Sequence, residues 1–416
     1  MNKETTPVRM VALLCATATA GYICRVNIST AAPLLMKEFS LSQVAMGRVF
    51  SAFLLGYALF QVPSGTLTDK WGTRRILMMV AWLWAAFTIL ESGIGWRPFT
   101  LSACTALVLF MLARFLQGIT ASPTYPASAK GVSKWIPIAF QGRANGIVIA
   151  SVGLGSAIAP PIVSYCMVNW GWRPAILVTA IPVIIIAMVW NRTLEPRTNI
   201  PEHSTGKEPV SDKSAATNST LWSRGFILLS ISYTLQGYVG YIFVSWFYLY
   251  LVQVRRFSLL TGAWVSSLPW VLSIVSMPLG GFVADSLQSK NIGGKWGMRL
   301  VPITGMALSG ILISIGAHTG SAIVAAIVLA FATAFVLCVE GPFWTAMTRF
   351  AGPKSGRAGG IMNMGSNLGG LISPMLTPLL AEKIGWENAL HVSAGLAIVA
   401  AILWCWIGPV QKVPTQ

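Results

Sequence analysis

Two arginines stand where a charge is costly. The stretch GYICRVNIST, residues 21–30, lies in a run that is apolar from about Met10 to Leu35 and contains Arg25 but no acidic residue. ARFLQG, residues 113–118, places Arg114 inside another such run. A charge at mid-bilayer costs from about 2.5 to more than 10 kcal/mol, so it normally faces a polar cavity and serves a function. A guanidinium stays ionised at any working pH and can grip a carboxylate or sulfonate through two parallel hydrogen bonds. The chemistry on offer is recognition of an anion at membrane depth. The alternative for each arginine is a brace, bound to backbone carbonyls or a helix end.

Of the twelve acidic residues, only Glu340 lies well inside an apolar run; Glu91 lies near the end of one, and the other ten fall in loops or at edges. Glu340 is the candidate for carrying a coupling proton, and its alternative is to brace the chain through Asn363 or a backbone amide. Tyr22, three residues before Arg25, shares its helical face, and its hydroxyl can bond a substrate oxygen. Gln236, Tyr238, Tyr241 and Trp246 give a later run enough polar aromatic surface for a cavity wall, with packing an equal reading for Trp246. Asn363 and Asn367 are amides in an otherwise apolar run. Asp69, Arg74 and Arg75, with Asp285 and Arg299, sit at the ends of runs, where charge pairs and helix dipoles can hold one face closed. They are assigned to gating.

The elements that must position these residues are membrane helices. Hydrophobic residues make up 55% of the 416 positions and charged residues 10%, against about a quarter charged in a soluble domain. About twelve apolar runs recur, each long enough to cross a hydrocarbon core of about 30 Å as a helix. The first run is too long, and too free of a small-residue cleavage pattern, for a signal peptide. The net charge of +17 is topology rather than nucleic-acid binding. With the amino terminus inside, twenty of the 29 lysines and arginines fall in cytoplasmic segments and seven outside, while Arg25 and Arg114 lie within spans. That bias is the positive-inside rule, and it puts both termini in the cytoplasm.

The longest polar stretch, 192–223, has linker composition and separates two halves that repeat each other. GTLTD (65–69) returns as GFVAD (281–285), and KWGTR (70–74) as KWGMR (295–299). At a constant offset of 214, GRANGI (142–147) returns as GRAGGI (356–361), Leu154-Gly155 as Leu368-Gly369, and Gly171-Trp172 as Gly385-Trp386. The chain therefore reads as an all-α membrane protein of twelve transmembrane helices in two pseudo-symmetric six-helix bundles. Residues 1–191 form the first bundle, 192–223 a cytoplasmic linker and 224–416 the second bundle. Such parallel halves place a substrate site near the midplane between them.

GTLTDKWGTRR (65–75) and ARFLQG resemble the loop and arginine signatures of the major facilitator superfamily. More narrowly, YICRVN (22–27), PSGTLTDKWGTRR (63–75), EGPFWT (340–345) and NMGSNLGGLISP (363–374) resemble the anion:cation symporter family, which includes bacterial sugar-acid and aromatic-acid importers and sialin-type carriers. The resemblance implies that Arg25 contacts the substrate anion, that Tyr57 occupies a site tyrosine position, and that Asn363 is a substrate contact. It also exposes a departure. Family symporters commonly have a proton-taking aspartate just before the first arginine and a glutamate two turns after the second, where this sequence has Cys24 and Ala121. Two arginines without those counter-charges favour a dianion at low effective dielectric.

The function expected is secondary active transport of a small organic anion, a carboxylate or sulfonate with dianions favoured, across the inner membrane by alternating access. Uptake with a proton, or sodium, as coupling ion is the leading form, in a monomer. A facilitator without ion coupling and an efflux carrier for amphipathic compounds are the alternatives, and a transporter-shaped sensor is a third. No cofactor, metal or nucleic acid is expected. The six cysteines form no CxxC pair, and the three histidines, His203, His318 and His391, are read as unsuited to one shared site. No Walker loop or GxSxG occurs, so no enzyme is expected.

Overall fold

The computed structural model describes residues 7–96, 101–193, 223–289, 296–351 and 355–407. The linker proposed from composition lies outside the described residues over 194–222, as do His203 and Lys295. Among the described residues the regular structure is helical. The helices are α1 (Pro7–Phe39), α2 (Gln43–Trp71), α3 (Thr73–Gly93), α4 (Ala103–Ala121), α5 (Thr124–Trp135), α6 (Ile138–Trp170) and α7 (Trp172–Arg192). After the linker come α8 (Arg224–Ser245), the single turn α9 (Phe247–Leu249) continued by a π-helical turn (Tyr250–Val254), α10 (Leu259–Ser289), α11 (Gly297–His318), α12 (Ala322–Cys338), α13 (Glu340–Ala351) and α14 (Ser355–Trp406). Among the described residues, eleven helical stretches are long and apolar enough to cross a membrane, with α4–α5 and α12–α13 each counted as one.

Short polar side chains start several of these helices. The hydroxyls of Ser42, Ser102 and Ser321 accept from the backbone N–H three residues on, at the heads of α2, α4 and α12, which satisfies donors the helix itself leaves orphaned. Two breaks fall inside spans. Between α4 and α5, Pro123 has no N–H to give, so the ladder cannot continue, and the Ser122 hydroxyl bonds the Ile119 carbonyl instead, at 2.8 Å. Between α12 and α13 the chain breaks at Val339, and Pro342 sits in the first turn of α13 where proline is tolerated. The 52-residue α14 is two helices merged across Gly385, whose φ of 85° is left-handed.

The backbone falls into two compact units, Met1–Pro201 with Val244–Val271, and Glu202–Phe243 with Leu272–Gln416. The segment Val244–Val271 packs with the first. There Trp246, fully buried, sits edge-on to Phe50 with ring centres 5.2 Å apart, and the Ser267 hydroxyl donates to the Ala157 carbonyl at 2.6 Å. Trp246 is thus a packing residue.

The internal repeat is visible as geometry in each unit. A Cβ on Gly155 of α6 would collide with the Thr19 carbonyl of α1, and one on Gly369 of α14 with the Thr234 carbonyl of α8. The glycines repeat because two helix backbones touch there, which only a small residue permits.

Candidate functional site

In the first unit the residues singled out from the sequence do gather. Close approach of α2 and α4 at Gly56 and Gly118, where any Cβ would strike the facing backbone carbonyl, brings Phe53 and Tyr57 up beside α1. The Arg25 guanidinium is half-buried and donates through Nη1 to the Tyr22 hydroxyl at 3.0 Å. Its carbon lies 4.8 Å from the Phe53 ring centre, 5.0 Å from Tyr22 and 5.8 Å from Tyr57. Three aromatic faces around a guanidinium stabilise the cation without neutralising it. A small pocket of about 10 Å³, room for roughly one water, opens on Arg25 and is walled by Tyr22, Tyr57, Trp84, Thr124 and Tyr125. The break at Pro123 puts Thr124 and Tyr125 into that wall. The Tyr125 hydroxyl donates to that of Tyr22 at 3.4 Å, and Ala121 lines the pocket as a methyl.

Arg114 is placed differently. It is 3% exposed, and its guanidinium is turned onto the protein: Nη2 donates to the Arg25 carbonyl at 2.9 Å, and Nη1 to Gln117 Oε1 at 2.5 Å and the Cys24 carbonyl at 3.5 Å. Its carbon lies 4.9 Å from the same Phe53 ring that Arg25 faces. Glu91, 0% exposed, sits 3.8 Å from Arg114 Nη1. This corrects the reading that both arginines lack a counter-charge: Glu91, at the end of α3 in sequence, is interior in space. The Cys24 thiol donates to the Thr179 carbonyl of α7 at 3.1 Å, and Asn27 Nδ2 to the Thr179 hydroxyl at 2.9 Å.

In the second unit Glu340 opens α13 at the span's break, where the positive end of the helix dipole favours a carboxylate. Its oxygens accept from the Tyr233 hydroxyl, from Gln236 Nε2 at 3.2 Å and from Trp344 Nε1 at 3.0 Å. Gln236 also donates to the Val336 carbonyl at 3.3 Å. Tyr241 lies with its ring against Gly370, and Asn363 is half-buried on α14.

The residues assigned to gating lie apart from both clusters. Asp69 is exposed and pairs with Lys130 Nζ at 3.0 Å, while Arg75 and Asp285 are exposed. Arg74 donates to the Trp190 and Asn191 carbonyls at 3.2 and 2.7 Å, closing the end of α7. Arg299 reaches the Cys405 carbonyl at 3.4 Å, near the end of α14. Both arginines therefore cap a helix C-terminus, where a cation is favoured. The histidines need a correction: His318 and His391 share the Glu387 carboxylate, at 2.8 and 3.9 Å.

Comparison with known proteins gives the family. The sequence pattern described as Major Facilitator Superfamily matches residues 13–355 and 292–416. The chain belongs to the Major Facilitator Superfamily. Members of that superfamily are transporters, so the chain is a multi-pass membrane transporter by family and not an enzyme. A Cupriavidus necator protein named "Probable sulfoacetate transporter SauU" is 28% identical over 97% of this chain and 94% of its own length. A Bacillus subtilis protein named "Probable galactarate/D-glucarate transporter GudP" is 28% identical over 97% of this chain and 92% of its own. A crystal structure of a bacterial homologue of the human lysosomal transporter Spinster, inward-facing and unoccupied, superposes with a TM-score of 0.80 at 16% identity, covering 98% of this chain and 99% of that one. That likeness shows the major facilitator fold.

Several partners within this major facilitator chain are not signalled by the sequence, among them Glu91, Tyr233, Phe53 and Lys130. Glu91 is masked by its nearness to a helix end. Tyr233 stands three residues before Gln236, on the same helical face, a spacing that could have flagged it. Phe53 and Lys130 carried no local signal, because what makes them matter is a helix packed against theirs.

Proposed function

We propose that this protein moves a small organic anion, a carboxylate or sulfonate, across the inner membrane by alternating access of the halves 1–191 and 224–416. Its termini are cytoplasmic, it works as a monomer, and the division of α14 at Gly385 brings the count of spans to twelve. The observation that carries the reading is the Arg25 guanidinium beside a pocket walled by tyrosines. Arg25 grips the anion while Tyr22 and Tyr57 hold its oxygens and the guanidinium plane. Arg114 has both Nη groups turned onto α1 and Gln117, so it acts by positioning Arg25. Gln236, Tyr241 and Asn363 are the contacts offered by the second half.

Dianions are the favoured cargo. Glu91 stands beside Arg114 as a counter-charge, so the argument from uncompensated arginines falls. What supports the dianion now is chemistry: sulfoacetate, galactarate and glucarate, in the names of the relatives, each carry two acid groups. Uptake is coupled to a proton, with Glu340 the coupling candidate of the second half. Its three donors suit a brace as well, and accumulation against a gradient by Glu340→Gln would remove it from coupling.

The test is uptake into proteoliposomes of matched mono- and dianions, with and without an inward proton gradient. Dianion uptake concentrated by the gradient is expected. Equal handling of mono- and dianions would end the dianion preference, and no uptake of any anion would end the anion reading. A facilitator is the second reading, favoured by Cys24 and Ala121, neither of which supplies a carboxylate to take up the coupling proton; uptake that only equilibrates would establish it.

A further inference from the structure

Glu91 is the carboxylate that neither the anion pocket nor the gating pairs use. It lies near the end of α3, 0% exposed, and neither of its oxygens has a hydrogen-bond partner. Arg114 Nη1 stands 3.8 Å away, beyond hydrogen-bond length, and Arg114 Nε is likewise without a partner. A buried carboxylate is expensive unless it is paired and hydrogen-bonded. Here the pairing is loose and the hydrogen bonds are missing, so the ionised form is poorly held. One proton on either oxygen would remove that cost.

Arg114 also connects Glu91 to the anion site. The same guanidinium that faces Glu91 holds the Arg25 carbonyl at 2.9 Å and Gln117 Oε1 at 2.5 Å. Gln117 in turn donates to the Thr88 hydroxyl at 3.2 Å, one turn before Glu91. The charged and titratable groups acting on Glu91 are Arg114 from α4 and the Cys24 thiol from α1. The other helices packed against α3, namely α2, α5 and α7, bring none to it among the described residues.

We infer that Glu91 is a proton-binding site linked through Arg114 to the Arg25 anion site, so that proton and anion strengthen each other's binding. The inference rests on the anion reading above. With Glu91 ionised, Arg25, Arg114 and Glu91 sum to one positive charge; with a proton taken from water onto the carboxylate they sum to two. An anion at Arg25 is held more tightly in the second state, and by reciprocity the bound anion tightens the proton. Protonation also releases Arg114 from Glu91, leaving the guanidinium to the carbonyls of α1. That is the behaviour a symporter needs, obtained without a carboxylate at Cys24 or Ala121.

The test is equilibrium binding of sulfoacetate and of D-glucarate to the purified full-length protein between about pH 6 and pH 8.5, where both probes stay fully ionised because carboxylic acids titrate near pH 4. Wild-type affinity should weaken by about fivefold or more as pH rises, the lower bound of typical coupling between sites. Glu91→Gln, which mimics the protonated group, should bind across that range with the low-pH affinity, flat to within about twofold. A Glu91→Gln protein as pH-dependent as wild type would overturn the inference and leave the anion reading standing. Wild type that binds neither probe would overturn both. Should Glu91→Gln fail to fold, proton uptake on adding sulfoacetate to Glu340→Gln protein in weak buffer decides. Uptake supports Glu91, since Glu340 cannot supply it, and its absence overturns the inference.

Discussion

The two broken spans, α4–α5 and α12–α13, do the same structural job beside opposite charges. Each interrupts its helical ladder next to a proline, Pro123 in one and Pro342 in the other, and each places its chemistry at the interruption. At the first break Thr124 and Tyr125 wall a pocket around Arg25. At the second, the break supplies Glu340 itself, saturated by three neutral donors. The first centre is a cation stacked on aromatic faces and half-exposed beside a small pocket. The second is an anion whose hydrogen bonds the protein has already satisfied. An internal repeat thus preserves where a span breaks while leaving free what the break presents, and the proposal of an anion site in the first half rests on that difference.

The sharpest way to break that assignment is at the two charges. Arg25→Ala should reduce anion uptake into proteoliposomes by about 30-fold or more, the loss expected when one partner of a buried charged contact costs 2–5 kcal/mol. Arg25→Lys should recover only part, because a lysine cannot make two parallel hydrogen bonds. Glu340→Gln should leave the initial rate of exchange within a few-fold of wild type. If the two variants were equally impaired in exchange, the division of labour would be lost.

Arg114 separates a brace from a contact. Arg114→Ala leaves Glu91 buried with no cation, which should destabilise the protein by about 3–5 kcal/mol, seen as a lower thermal midpoint in detergent. Glu91→Gln in the same chain should restore a large part of that loss, since it removes the stranded charge. A stable Arg114→Ala protein that only lost affinity would mean that Arg114 touches cargo.

These expectations show how much was readable in advance. The spans, their repeat and the candidate charges follow from apolar period, composition and spacing, all of which are local. Arg25 with Tyr22 was legible because both lie on one helical face. Glu91 was not, since its distance from a helix end along the chain says nothing of how α3, α4 and α1 pack at that level. The Phe53 ring beneath both guanidinium groups, and the Lys130 partner of Asp69, depend in the same way on contacts between helices. The shared carboxylate of the histidines is hidden for the same reason: His318 and His391 are 73 positions apart in the sequence and meet through Glu387.

A smaller effect is expected at Asp69. Its pair with Lys130 is largely exposed, with the two side chains 77% and 35% accessible, so Asp69→Asn should change stability by less than about 1 kcal/mol. Transport rate should change more than substrate affinity, because the pair is remote from the Arg25 cluster. A shift in affinity with an unchanged maximal rate would count against a gating role.

The smallest effect lies where the repeat has reversed a charge. Arg173 and Glu387 stand at equivalent places, each two residues after a left-handed glycine, Gly171 with φ 86° and Gly385 with φ 85°. Arg173 donates to the Ile94 and Gly95 carbonyls just beyond α3, at 3.1 and 2.7 Å, and pairs with Glu38 at 2.7 Å. Glu387 instead meets His318 in the last turn of α11, at 2.8 Å. The task is shared, tying the start of one helix to the end of another, but the first tie rests on two backbone carbonyls and an ion pair, and the second on one exposed contact to a carboxylate that His391 also reaches. Glu387→Gln should therefore lower the thermal midpoint only slightly, by under about 1 kcal/mol for so exposed a pair. Arg173→Ala should lower it by more, because two carbonyls lose their donor together with the ion pair. If the two variants lost the same amount, the carbonyl contacts of Arg173 would add nothing to its pair with Glu38, and the two ends would differ in partner only.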